Sequence, residues 1–328
     1  MQSATERANP TLQRQAAIAA GGVQDHAGAV RIEPIEDFDL DHTIFRTLEG
    51  RLQRFAMRAR IGKRVHWEPR RAAEVESAYA TARSGTPPPP IDPRLLAFMV
   101  NECDFAVEHA EGSFLDHLYF CHEYTAVHYP QGSPLVMLLH SILGTATNTF
   151  ALSVDRIPRL QRLLDPHVWM HIQAFPSILR LLYGTALRRE LWENVDRHEA
   201  LRSIRLHRVI DNVPIEIAAA DFWEALNYQL IHLVDFLPVA HWRAWRADTA
   251  FIVFRDLHAL LERAGRRVAG VRYDPAARAV GLEGEDLPFP NRIITWVPVP
   301  ISARFAEMSI RRFSARIGHD LSFTIDWR

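Results

Sequence analysis

Cysteine is scarce in this chain. Cys103 and Cys121 are the only two in 328 residues. A disulfide framework for a chain of this length needs more, so reduced thiols and a cytoplasmic setting are expected. A run of 18 apolar residues is also lacking, which argues against a membrane span. Neither sign of charge dominates: 38 basic side chains oppose 39 acidic ones, for a formal net charge of -1. That balance supplies no field to draw the protein onto nucleic acid or an anionic membrane. Phosphate loops of the Walker or dinucleotide type are missing, as are a G-x-S-x-G elbow and a C-x-x-C pair. These absences count against nucleotide-fold enzymes, α/β-hydrolases and zinc-ribbon modules. The first 28 residues lack the basic and apolar segments of a secretory signal and read as a disordered arm.

What is abundant is histidine, with sixteen residues. It is both a common metal ligand and the side chain that titrates near neutrality. Apolar residues make up 48% of the chain and charged ones 23%, ordinary values for a globular protein.

Most of the chain reads as helix. An amphipathic stretch covers residues 40–61, and a second helix is expected over 69–82. The run Pro87-Pro88-Pro89-Pro90 then favours an extended strap and marks a boundary. Beyond it, helices are expected over 93–111, 114–129, 135–143, 158–164, 166–183 and 186–195. Ser113 and the Ser133-Pro134 pair supply start signals, Gly112, Pro130 and Gly144 supply stops, and Pro176 predicts a kink. Residues 204–210 alternate, Asp211-Asn212 is a turn pair, and 213–217 can pair back as a hairpin. Helices follow over 220–236 and 249–264. Short strands are expected at 268–273, 279–282, 292–299 and 321–327, with a helix over 303–317. The expected fold is mainly α. It comprises an arm at 1–28, a helical extension and Pro-rich linker at 29–91, a helical domain with a small inserted β-hairpin at 92–265, and a small α+β appendage at 266–328.

Polar residues inside apolar helices carry the chemistry. His117 sits in Phe114-Leu115-Asp116-His117-Leu118. His140 sits in Leu138-Leu139-His140-Ser141. Asp235 sits in Leu233-Val234-Asp235-Phe236-Leu237. A ligand has to be desolvated and aimed, and the inner face of a packed helix does both. A hydrogen-bonded core histidine gives the same local pattern.

These segments resemble the HD superfamily, in which a histidine is followed by a His-Asp pair after two leucines and later by an aspartate. The gaps of 23 and 95 residues are compatible with that pattern. The match spans about 120 residues of the chain. The stretch is also similar to an uncharacterised offshoot whose pair is His-Ser. The departure is Ser141, which stands where the family has the metal-bridging aspartate. A neutral hydroxyl is a weak ligand, so a bridged two-metal centre is not expected. The resemblance then implies His117, His140 and Asp235 around one divalent ion, with iron(II) favoured and zinc or manganese as alternatives. His167 and His171, four apart on one helix face, are the candidate additional ligands. Ser141, His122 and Asn148 are the candidate catalytic residues. Asn148 belongs with Thr145, Thr147 and Thr149 to a polar run that either lines a pocket or caps a helix.

Three functional readings follow. The first is a mononuclear iron oxygenase-type enzyme acting on a small organic molecule, in a specialised role such as secondary metabolism. The second is a metal-free domain in which the same residues bind a ligand or catalyse an acid–base rearrangement. The third is a metal-dependent phosphohydrolase with Arg156, Arg159 and Arg162 as phosphate holders. The expected partner is a small-molecule substrate, with no nucleic acid and no membrane, and with homodimerisation left open.

Overall fold

The computed structural model describes residues 51–52, 90–103, 108–109, 112–235, 249–271 and 297–328. The arm, the helix expected over 69–82, nearly all of the 40–61 stretch and the strand expected at 279–282 lie outside the described residues. So does most of the strand expected at 292–299.

The fold is mainly α with one small antiparallel sheet. The helices are α1 (Pro93–Glu102), α2 (Phe114–His128), α3 (Pro134–Leu139), α4 (Ile157–Gln161), α5 (Pro166–Tyr183) and α6 (Thr185–Glu193). They continue as α7 (Ala219–Asp235), α8 (Thr249–Arg263) and α9 (Val299–Arg316). A two-residue pair, β1 (Glu108–His109) and β2 (Gly112–Ser113), precedes α2. The main sheet has β3 (Leu201–His207) between β4 (Pro214–Ala218) and β5 (Thr324–Trp327).

Helix α5 forms over the range expected for it. Asp165 caps it by accepting from the Val168 N–H at 2.9 Å, Pro166 occupies the first turn, and Gly184 follows its end. The helix runs on through Pro176 as one element. Residues on nearly every side of it are buried, including Val168, Ile172, Phe175, Ile178 and Leu182. That all-round apolar surface marks a central helix. Helix α7 packs against α2, α5, α8 and the sheet. The functional side chains arise along these two helices, along α2 and just after α3.

The expected hairpin forms, with Ile204 opposite Ile217 and Leu206 opposite Ile215. All four of these side chains are buried, so the hairpin turns one face to the core. Its sheet has a third strand, because β5 pairs with the other edge of β3 and sets Ile325 opposite Ile204. The expected strand at 268–273 does not form over its described part, where Ala269 and Val271 enter the core as irregular chain.

His319 joins the segment before β5 to the hairpin. Its Nε2–H donates to the His207 carbonyl at 3.0 Å, and its ring is buried. Burial pushes the imidazolium down to about 4, and the nearby Arg180 charge adds to the effect. The group is therefore neutral in the folded chain where it is protonated in the unfolded one. Stability is expected to be full above the ordinary histidine value and to fall as pH drops toward about 4. The loss is on the order of 3 kcal/mol. Urea unfolding between these limits checks this, and His319→Asn should flatten the slope. An equal slope in that variant would contradict it.

Candidate metal centre

Three elements converge on one buried point. His117 lies in the first turns of α2, His140 follows the last residue of α3, and His232 lies in the last turns of α7. Helix α2 packs on both α3 and α7, which brings the three rings together. His117 Nε2 is 3.1 Å from His140 Nε2 and 3.1 Å from His232 Nδ1. His232 Nδ1 and His140 Nε2 are 2.9 Å apart. All three residues are buried. Cys121, one helical turn after His117 and also buried, places its Sγ 3.9 Å from His117 Nε2.

The His140 ring is oriented by its own turn. Its Nδ1 lies 2.7 Å from the Met137 carbonyl oxygen. A carbonyl only accepts, so Nδ1 carries the proton and Nε2 of the neutral ring presents a lone pair. This N–H to backbone carbonyl bond is the support that metal-ligating histidines commonly have. The helix expected over 135–143 ends at Leu139, and the chain goes on in tighter turns, with Ile142 N–H to Leu139 O at 3.0 Å and Gly144 N–H to Ser141 O at 3.1 Å. Gly144, with φ +134°, lets the chain leave.

The nitrogen triangle has the dimensions of a metal cap. With bonds of about 2.0–2.1 Å, its edges correspond to nitrogen–metal–nitrogen angles of about 95°. Such a cap would suit one face of an octahedral ion. A cation above the triangle engages all three nitrogens at once, whereas one shared proton can bridge only two strongly. The buried group of His117, Cys121, His140 and His232 can therefore bind a metal ion.

Two of the residues singled out in the sequence, His117 and His140, thus meet. His232 joins them, although the sequence pattern had pointed to Asp235 three residues on. Asp235 closes α7, and its side chain lies outside the described residues. His232 shares the apolar context of its neighbours Leu230, Ile231 and Leu233, and this was its only sequence signal. Cys121 carried a weaker one, its four-residue spacing from His117.

The other candidates sit elsewhere or act differently. Ser141 is buried directly after His140. His122 is buried, and desolvation pushes it down to about 4, so its ring is neutral at physiological pH. Asn148 serves the architecture: with φ 61° it donates from Nδ2 to the Phe313 carbonyl at 2.9 Å and accepts from Arg180 at 2.6 Å. The Thr145 hydroxyl accepts from the Thr147 and Thr149 N–H groups at 3.2 and 3.1 Å. These bonds tie a loop, and no helix begins there. His167 and His171 do not join the His117 cluster. They form a separate group with Asp221 and Glu224.

No family model, no curated protein and no solved structure matches this chain. Among the described residues no helix is long and apolar enough to cross a membrane.

Proposed function

We propose that the protein is an HD-like, metal-dependent enzyme acting on a small organic molecule, with a single ion on His117, His140 and His232. The observation that carries this reading is the buried triangle of imidazole nitrogens with edges of 2.9–3.1 Å. Imidazole donors suit iron and zinc alike. Iron(II) is favoured, because a facial cap leaves neighbouring positions for oxygen and substrate, and an iron ion would supply oxidising chemistry there. The chain's own contribution is to hold the three rings rigidly. Met137 fixes the His140 tautomer, and Ser141, buried directly after His140, would bond substrate or bound water. Two of the three arginines of the phosphohydrolase reading are engaged by Glu102. Arg159 pairs with Glu102 at 2.7 Å, and Arg156 donates to the Glu102 carbonyl at 2.8 Å.

A second reading rests on Cys121. Three imidazoles and a thiolate make a closed tetrahedral set, which is the pattern of structural zinc. Cobalt(II) substitution separates the two. An open three-histidine centre predicts that Cys121→Ser leaves both the spectrum and the stoichiometry of the bound cobalt unchanged. A closed centre predicts a thiolate charge-transfer band that vanishes in Cys121→Ser. Metal analysis after anaerobic reconstitution with iron(II) tests the centre itself. Absence of any bound ion that depends on His140 would sink both readings.

A further inference from the structure

His167 and His171 lie one turn apart on α5, and Asp221 and Glu224 lie nearly one turn apart on α7. The two pairs face each other. His167 Nε2 is 3.2 Å from His171 Nε2 and 3.1 Å from Glu224 Oε2. His171 Nε2 is 3.5 Å from Glu224 Oε1, and Asp221 Oδ1 is 3.9 Å from His167 Nε2. Two imidazoles and a carboxylate at such separations can share one ion with bonds of about 2.0–2.2 Å. Two facing helices are a common way to build such a set.

Further contacts orient the group. The Tyr228 hydroxyl donates to Glu224 Oε1 at 2.6 Å and accepts from the Ser133 N–H at 2.6 Å. Glu224 Oε1 thus lies between Tyr228 and His171, and Oε2 faces His167. Burial works to raise the Glu224 carboxyl, and the hydrogen bond from Tyr228 works to lower it. His171 is buried, while the side chain of His167 is 47% exposed, so the group opens to solvent on one side.

We propose that His167, His171 and Glu224, assisted by Asp221, form a second site for one divalent transition-metal ion. It pins α5 to α7 and keeps open positions toward solvent. The site is independent of the His117 centre. Glu224 and His232 are eight residues apart on α7, about 12 Å along the axis, whereas bridged metal pairs lie about 3.5–4 Å apart. Phe175, one turn after His171, fills the space between by packing on His140 and His232, with ring centroids 4.6 and 5.3 Å away. The histidines that suggested extra ligands for one centre thus belong to another.

The test is a cobalt(II) titration of the untagged full chain after chelator treatment. Bound metal is counted after gel filtration, and folding of each variant is checked by circular dichroism. Wild type is expected to bind two equivalents. His167→Ala, at a half-exposed position, and Glu224→Gln, which keeps the side-chain shape, are each expected to lose one. His140→Ala is expected to lose the other. No binding by wild type, two equivalents retained in both α5–α7 variants, or a single equivalent lost only in His140→Ala would overturn the second site. The last result would show that His167 and Glu224 form only an ion pair. Loss in His167→Ala with no effect of His140→Ala would uphold this site and remove the central one.

Discussion

Replacing His140 with alanine is expected to remove one equivalent of bound metal and, with it, turnover. The ring nitrogens of His117 and His232 both lie within 3.1 Å of His140 Nε2, so no alternative pair can close the triangle. Metal bound only by the folded chain adds stability by mass action. At free metal about a thousandfold above the dissociation constant the gain is about 4 kcal/mol. A chelator should therefore lower the unfolding midpoint of wild type by far more than that of His140→Ala. Ser141→Ala, which removes no ring, should keep the metal. Equal metal content in wild type and His140→Ala, measured by elemental analysis, would contradict the assignment.

Arg180→Met is expected to destabilise the fold by about 2–5 kcal/mol, from buried acceptors left unsatisfied. Arg180 is fully buried on α5. Its Nε and Nη2 donate to the Thr145 carbonyl at 3.2 and 2.8 Å, Nη2 also reaches Asn148 Oδ1 at 2.6 Å, and Nη1 reaches Ser314 Oγ at 3.0 Å. One guanidinium thus joins α5, the loop after His140 and α9. Burial pushes it down to about 9, which still leaves it protonated at neutral pH. Methionine fills much of the volume but strands the Thr145 and Asn148 acceptors. A loss of that size is a large share of the roughly 5–15 kcal/mol that holds a domain together. Arg180→Lys should fall between, because an ammonium keeps the charge and loses the fork. Urea midpoints at constant m-value measure this. A loss under about 1 kcal/mol in Arg180→Met would show that the network is dispensable.

Local signals were readable where a few neighbouring residues decide the outcome. Asp165-Pro166 and Gly184 bracket α5 because capping and proline geometry act within one turn. The hairpin around Asn212 was legible because alternation and a turn pair suffice. Partnership across the chain was not. The alternation of the last strand showed that it was a strand, but nothing in it named β3 as its neighbour. The site followed the same rule. His117 and His140 stood out by their apolar surroundings. The choice between His232 and Asp235 depended on which residue α7 turns toward α2 and α3, a matter of helix rotation and packing. The four-residue spacing of His167 and His171 was visible, but their carboxylate partners lie some fifty residues away on another helix. Nothing in the sequence singled out Arg180, since the acceptors around its guanidinium come from other segments of the chain.

The pairing of β5 with β3 also orders events in time. Strand β3 is complete once residue 207 has been made, and β4 covers one of its edges soon afterwards. Its other edge waits for Thr324–Trp327. More than a hundred residues are synthesised in that interval, at about 5–20 per second. For several seconds a nascent chain that has already made its hairpin and the helices before it carries an open strand edge. An open edge is a template for pairing with another chain. The late strand therefore ends the exposure of the seven-residue β3 and leaves a four-residue strand as the sheet edge on that side.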